Sequence, residues 1–294
     1  MNESCLTFIH ALSPLHAGTG QGVGVIDLPI AREKATNLPY LPGSTLKGSM
    51  RDECGDITLQ EQIFGPQKPD SDSAYAGSAI FTDQRLLCLP VRSLLGTFAW
   101  VTSPFILERF KRDAENINIH YLPNIIKPGN EQSCIVLSND DCKLKLGQKV
   151  ILEDLDLNVQ DGENVDDWAN WLAPKIFADT NWQDNFRQRF CIASDDVMSF
   201  LAETATEVTA RNVLSENKTS DNLWYEESLP SETILSGLLV AVHVKATSDD
   251  VFKTIKKLTA KPIQLGGSMT VGRGLCQVGL DYQVPQINQN GGAN

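Results

Sequence analysis

Asp27 stands between a glycine-rich stretch, residues 18 to 24, and Leu28-Pro29, which places a carboxylate on a segment free to approach another molecule. Such a carboxylate can take a proton from a hydroxyl or help hold a hard divalent cation. An aspartate before Leu-Pro also caps turns by accepting backbone N–H bonds, and the residues alone leave both readings open. His16, at the end of the first apolar stretch, is a candidate acid or base, or a structural hydrogen-bonder. Glu226 and Glu227 are adjacent on a β-leaning segment, so their side chains point to opposite faces and at most one reaches a given site. Glu227 is the candidate that joins Asp27 and His16.

Two further elements suit the oxygens of a phosphate chain. In Leu41-Pro42-Gly43-Ser44-Thr45-Leu46-Lys47-Gly48-Ser49-Met50-Arg51 a Pro-Gly turn leads into a helix start, with Ser44 or Thr45 as its N-cap. Lys47 and Arg51, four apart, then share one face of that helix. Near the C-terminus, Gly266-Gly267-Ser268-Met269-Thr270-Val271-Gly272-Arg273-Gly274 sets four glycines around one arginine and can offer backbone N–H donors. Gly266, Gly267, Ser268, Thr270 and Arg273 are the candidate contacts there, with Ser44, Lys47 and Arg51 on the helix. The plainer alternatives are a β-turn between strands and a solvated helix face. Neither element is a P-loop, because the lysine precedes Gly48, and no G-x-G-x-x-G dinucleotide fingerprint occurs.

These elements need a scaffold, and the chain is long enough to build one. Its 294 residues allow one large elaborated domain with a substantial core. The sequence contains no apolar run of the roughly 20 residues that a membrane helix needs, so no membrane association is expected. The start of the chain lacks the basic segment of a secretory signal. Seven scattered cysteines without a C-x-x-C pair read as reduced thiols, which implies a cytoplasmic protein. A net charge of −12 opposes polyanion binding, but eleven of the acids fall between Asp140 and Asp184. A local basic groove elsewhere remains available, with Arg32, Lys47, Arg51, Arg85, Arg109 and Arg273 among its candidates.

Alternation and amphipathic spacing predict a strand over 5–13, a helix over 44–54, one or two strands over 78–91, a strand over 233–244, a helix over 248–259 and a last strand over 272–282. That order is βαββαβ, an α+β, ferredoxin-like core similar to the RRM fold. Residues 1–91 and 232–284 form this core. Residues 92–231 are an insertion with helices over 103–115, 166–177 and 182–190, and residues 285–294 read as a disordered tail. Glu203 to Val213 and the segment after Asn222 predict a long protruding hairpin with a polar tip.

Read in order, His16-Ala17-Gly18-Thr19-Gly20, Asp27-Leu28-Pro29-Ile30-Ala31-Arg32-Glu33, the Pro42-to-Arg51 element, Leu223-Trp224-Tyr225-Glu226-Glu227-Ser228-Leu229-Pro230 and the terminal glycine loop resemble the RAMP superfamily of CRISPR proteins. The resemblance spans almost the whole chain and is most specific for the repeated backbone subunit of type III-B (Cmr) complexes. It implies binding of CRISPR guide RNA, head-to-tail stacking of further copies alongside other Cmr subunits, and cleavage of paired target RNA. It places the cleaving aspartate at Asp27, together with a divalent metal ion (Mg²⁺ or Mn²⁺). The hairpin matches the family's thumb, which pushes between stacked nucleotides. A non-catalytic RNA-binding scaffold and a guide-processing endoribonuclease are the alternatives.

Overall fold

The computed structural model describes residues 3–18, 20, 26–66, 75–160, 165–214 and 220–282. The expected tail and the tip of the hairpin, residues 215–219, lie outside them, as does most of the first glycine-rich crossing. The first part of the chain comprises β1 (Glu3–Ala11), β2 (Tyr40–Leu41), α1 (Gly43–Glu53), α2 (Ile57–Phe64), β3 (Ala79–Phe81) and β4 (Gln84–Arg92). The inserted stretch supplies β5 (Phe98–Thr102), α3 (Pro104–Asn116), β6 (Ser133–Val136), β7 (Lys149–Leu152), β8 (Leu155–Val159), α4 (Val165–Ile176), α5 (Thr180–Arg189), β9 (Phe190–Ala193) and α6 (Asp195–Thr204). The hairpin β10 (Glu207–Leu214) and β11 (Ser220–Ser228) follows. The chain then returns through β12 (Ile234–Ala241), α7 (Ser248–Leu258), β13 (Ile263–Gln264) and β14 (Leu275–Asp281).

Strand β1 lies between β12 and β14, antiparallel to both, and every residue from Cys5 to Ala11 is buried. A strand covered on both faces reads as a near-continuous apolar run, which is what Cys5-Leu6-Thr7-Phe8-Ile9 provides. Phe8 meets Phe110 of α3 with ring centroids 5.9 Å apart, and His10 sits edge-on to Phe177 at 5.0 Å. The sheet runs β13-β14-β1-β12-β4-β5-β9-β6-β8-β7, with β3 on β12 and β2 on β4. Three helices of the insertion, α3, α4 and α5, appear where their apolar spacing predicts them; α6 was not foreseen, and it takes Glu203 and Thr204 from the expected hairpin, which starts at Glu207. The insertion's five strands, absent from the sequence reading, continue the core sheet past β4. Four of them pair by long-range contacts in runs of only four or five residues, too short for alternation to stand out, and together they cover an edge that β4 would otherwise expose.

Two local details correct the reading of α1. Its N-cap position is Pro42, and no side chain of its own caps it; the Gly43 amide donates instead to Asp83 Oδ1 at 2.9 Å, leaving Ser44 exposed. A Cβ on Gly43 would lie 2.3 Å from the Phe81 carbonyl oxygen, so the close seating of α1 on β3 requires glycine. The predicted helix also continues into an unforeseen second one, α2, whose N-cap Asp56 accepts from the Leu59 amide.

All seven cysteines are free thiols, and no described helix is long and apolar enough to cross a membrane. An ion cluster ties the segment after Asp27 to the insertion. Arg109 of α3 donates to Glu33 at 2.7 Å, and Arg85 bridges Glu33 and Asp113. Burial alone would raise the Glu33 carboxyl, but hydrogen bonds from Arg109 and Thr36 and the charges of Arg109 and Arg85 outweigh it and hold the group below its ordinary value. A depressed carboxyl contributes stability above its unfolded pKa of about 4.3 and loses it as pH falls through the folded value. The stability difference between wild type and Glu33→Gln, from urea titrations, is therefore expected to shrink as pH drops from 7 to 3. A constant difference would contradict the assignment.

Candidate RNA-processing site

Residues 26–32 run beside β11 and are laced to it. The Leu28 amide donates to the Tyr225 carbonyl at 3.0 Å, and the Glu227 amide donates to the Leu28 carbonyl at 3.0 Å, which makes a parallel bridge between Leu28 and Glu226. Asp27 extends the pattern with its side chain, because Oδ2 accepts from the Tyr225 amide at 2.8 Å. Asp27 is thus exposed and at the same time fixed to the root of the hairpin. The side chain caps no local turn: one oxygen accepts from Tyr225 on β11, and Oδ1 has no hydrogen-bond partner among the described residues.

The adjacent acids do point apart, as their spacing requires. Glu227, 3% exposed, turns toward the loop; its Oε2 accepts from the Ile30 amide at 3.1 Å, and its Oε1 accepts from Arg32 at 2.6 Å and from Thr206 at 2.9 Å. The carboxylate expected to join the chemistry is saturated by structural partners. Glu226, 4% exposed, turns to the opposite face, where its Oε2 lies 2.8 Å from Arg211 Nε. Arg211 sits opposite Trp224 in the hairpin register, diagonal to Glu226, within reach of a long side chain. The pair is close but not aligned: Glu226 Oε1 and Arg211 Nε have no hydrogen-bond partner among the described residues.

His16 is buried, and its Nδ1 lies 2.6 Å from the Glu227 carbonyl oxygen, which can only accept, so Nδ1 carries the proton. The glycine loop closes over the same residue. The Gly267 amide donates to the His16 carbonyl at 2.9 Å, and a Cβ on Gly266, whose φ is +73°, would come within 2.3 Å of that oxygen. Gly266 and Gly267 therefore serve close approach to the chain's own backbone. The Gly274 amide is likewise engaged, with the Pro14 carbonyl at 2.8 Å. Ser268 and Thr270 line an open cleft of about 550 Å³ together with Leu28, Arg211, Trp224 and Glu226. Trp224, which by its type reads as a core residue, is half-buried in that cleft.

The cations divide. Arg273 donates to Glu207 at 2.8 Å and to Thr209 at 3.1 Å, so it fastens the glycine loop to β10. Arg51 donates to the Gly65 carbonyl at 2.7 Å and caps the end of α2, with its Nη2 buried and without a hydrogen-bond partner among the described residues. Lys47 has no acidic partner among the described residues. Burial, and then the charge of Arg51, lower its pKa from the ordinary lysine value. Helix α1 packs against β13, the strand that leads into the glycine loop, so the two phosphate-suited elements are neighbours.

A resident metal cage is not built here: among the described residues no group of three histidine, cysteine or carboxylate side chains is placed to hold an ion. Glu226 and Glu227 both face arginines, which leaves Asp27 as the open carboxylate. That donor fits a hard cation of the magnesium type, which is held by one or two carboxylates and completed by substrate phosphate oxygens.

A mixed sheet, a projecting hairpin and an aspartate bridged to the hairpin's root define an α+β protein with one exposed carboxylate beside an open cleft. Residues 8–277 match the RAMP superfamily, and the chain belongs to it. It is 32% identical over 304 residues, 99% of either chain, to the CRISPR system Cmr endoribonuclease Cmr4 of Pyrococcus furiosus. The crystal structure of oligomeric Cmr4 from that organism superposes with a TM-score of 0.75 at 28% identity, covering 97% of this chain and 99% of that one. A subunit of the type III-B Cmr-beta complex bound to cognate target RNA shares the fold, with a TM-score of 0.69 at 19% identity over 94% of this chain and 96% of that one.

The Arg211–Glu226 pair makes a direct test of the site's packing. Arg211→Ala leaves a buried carboxylate uncompensated and is expected to lower unfolding free energy by about 3–5 kcal/mol, whereas Arg211→Met with Glu226→Leu is expected to be near neutral. Equal losses in the two proteins, measured by urea denaturation, would contradict this.

Proposed function

We propose that this chain is a CRISPR guide-RNA-binding backbone subunit of a type III-B interference complex, and that it cuts the paired target RNA at Asp27. The carrying observation is an exposed aspartate, fixed by the Tyr225 amide and next in the chain to the cleft-lining Leu28, in a chain 32% identical over its length to a named Cmr endoribonuclease. RNA cleavage through its own 2′-hydroxyl needs that oxygen placed in line with the phosphorus and relieved of its proton. With Oδ2 held, Oδ1 of Asp27 is oriented to accept the proton or to ligate a cation. A divalent ion shared between Asp27 and the RNA phosphate would stabilise charge on the phosphoryl oxygens. His16, through Nδ1 and its carbonyl, holds hairpin root and glycine loop together and supports the site from behind.

Guide binding falls to Lys47, which has no acidic partner among the described residues, and to Ser44, Ser268 and Thr270, whose hydroxyls can donate to sugar and phosphate oxygens. Phosphate contacts position RNA without reading sequence, which suits a subunit serving any guide. The antiparallel order β14-β1-β12, with β3 and β4 on the far side and helices α1 and α7 between the strands in sequence, supports a ferredoxin-like core at the centre of the larger sheet. Its partners are guide and target RNA, further copies of itself and other Cmr subunits; the structure of oligomeric Cmr4 supports stacking of copies. Free thiols throughout support a cytoplasmic setting.

Asp27→Ala in the assembled complex is expected to lower cleavage of complementary RNA by at least about 100-fold while guide binding survives. Cleavage at the normal rate would leave the chain a scaffold, and cutting of repeat RNA by the isolated chain would favour a guide-processing enzyme. Lys47→Ala is expected to weaken guide binding and to reduce the slope of log affinity against log salt by about 1. An unchanged slope would remove Lys47 from the phosphate contacts.

A further inference from the structure

The cleft, the free thiols and the ion cluster at Glu33 each belong to the packing or the site already described, but one half-buried group does something the mechanism has not used. Arg32 reaches three separate elements. Its Nη2 donates to Glu227 on β11 at 2.6 Å, while Nη1 donates to the Ala202 carbonyl at the end of α6 at 2.9 Å and to the Asn37 carbonyl at 3.0 Å. Glu227 in turn holds the Ile30 amide, two residues before Arg32. The segment carrying Asp27 is therefore fastened at both ends of one short stretch: by the Asp27–Tyr225 and Leu28–Tyr225 bonds at its start, and by the Ile30–Glu227–Arg32 cluster at its finish.

This arrangement ties the segment to the hairpin's root through one parallel bridge and the bonds around it. A guanidinium with planar, directional donors can satisfy three acceptors at once, and a lysine cannot reproduce that fork. Side-chain exposures of 17% for Arg32 and 4% for Glu227 keep the pair out of bulk solvent, where its geometry is specific. A displacement of about 1 Å in a reacting group can lower a rate by roughly 100-fold, so whatever fixes this stretch fixes the chemistry of Asp27.

We infer that Arg32 and Glu227 are positioning residues for Asp27, coupling the cleaving loop to the hairpin so that the two move as one body, and that Glu227 itself transfers no proton. This rests on Asp27 being the cleaving carboxylate. Its sequence signal is slight, since Arg32 and Glu227 are 195 positions apart and only their types, a fork and a carboxylate, hint at a pair.

The test uses complexes reconstituted with guide and matched target, comparing wild type, Arg32→Ala, Arg32→Lys and Glu227→Gln. Arg32→Ala is expected to lower the single-turnover cleavage rate by about 10- to 100-fold with target affinity within about twofold of wild type, and Arg32→Lys to recover part of the rate. Glu227→Gln is expected to be slower with a pH–rate profile parallel to wild type. Wild-type cleavage by Arg32→Ala, or loss of a limb of the profile in Glu227→Gln, would overturn the inference. Should Arg32→Ala fail to assemble, the rate and profile of the two conservative variants decide. Failure of the underlying reading would show separately, as undiminished cleavage by Asp27→Ala in an Arg32-intact complex.

Discussion

The site depends on the lacing of residues 26–32 to β11. Without it, Asp27 would ride on a glycine-rich crossing with nothing to fix its distance from any substrate. With it, two backbone bonds of 3.0 Å and one side-chain acceptor bond of 2.8 Å give an exposed carboxylate the address of a β-strand. Buried acids complete the arrangement by facing opposite ways, Glu227 toward Arg32 and Glu226 toward Arg211. Each ion pair removes one carboxylate from competition, and the remaining one is the one that faces solvent.

Charge follows the same logic on a larger scale. A protein with a net charge of −12 cannot hold a polyanion by bulk attraction, so contact must be local. Most arginines that looked available in the sequence are occupied: Arg273 by Glu207 and Thr209, Arg51 by the end of α2, Arg109 and Arg85 by Glu33. Few of those arginines are left over, so under the proposed function the grip on RNA would come from many copies sharing one strand. Multivalent attachment raises the strength of the whole without requiring strength in any single contact.

Much of the frame was legible because it is written locally. The helix over Ser248–Leu258 has its apolar stripe and a capping box between Thr247 and Asp250, and the helix over Pro104–Asn116 opens on Ser103 with proline at its first position. The candidate residues His16, Asp27 and Glu227 do converge, with Glu227 bonded through its carbonyl to one and through its amide to the neighbour of the other. What the sequence did not disclose is who neutralises whom. Arg32 and Glu227 or Arg273 and Glu207 are ion partners only after the chain has closed, as Arg51 finds the Gly65 carbonyl only then, and no spacing rule encodes them. The short strands of the insertion escaped for a related reason: a run such as Ser133–Val136 holds too few residues to display a period.

The most direct measurement of the central claim is photocrosslinking from a target RNA carrying a single reactive nucleotide next to the cut position, bound to the guide-loaded complex. The account requires crosslinks to residues 26–28 and to the cleft wall around Trp224. Crosslinks confined to the inserted strands, with none near Asp27, would contradict it.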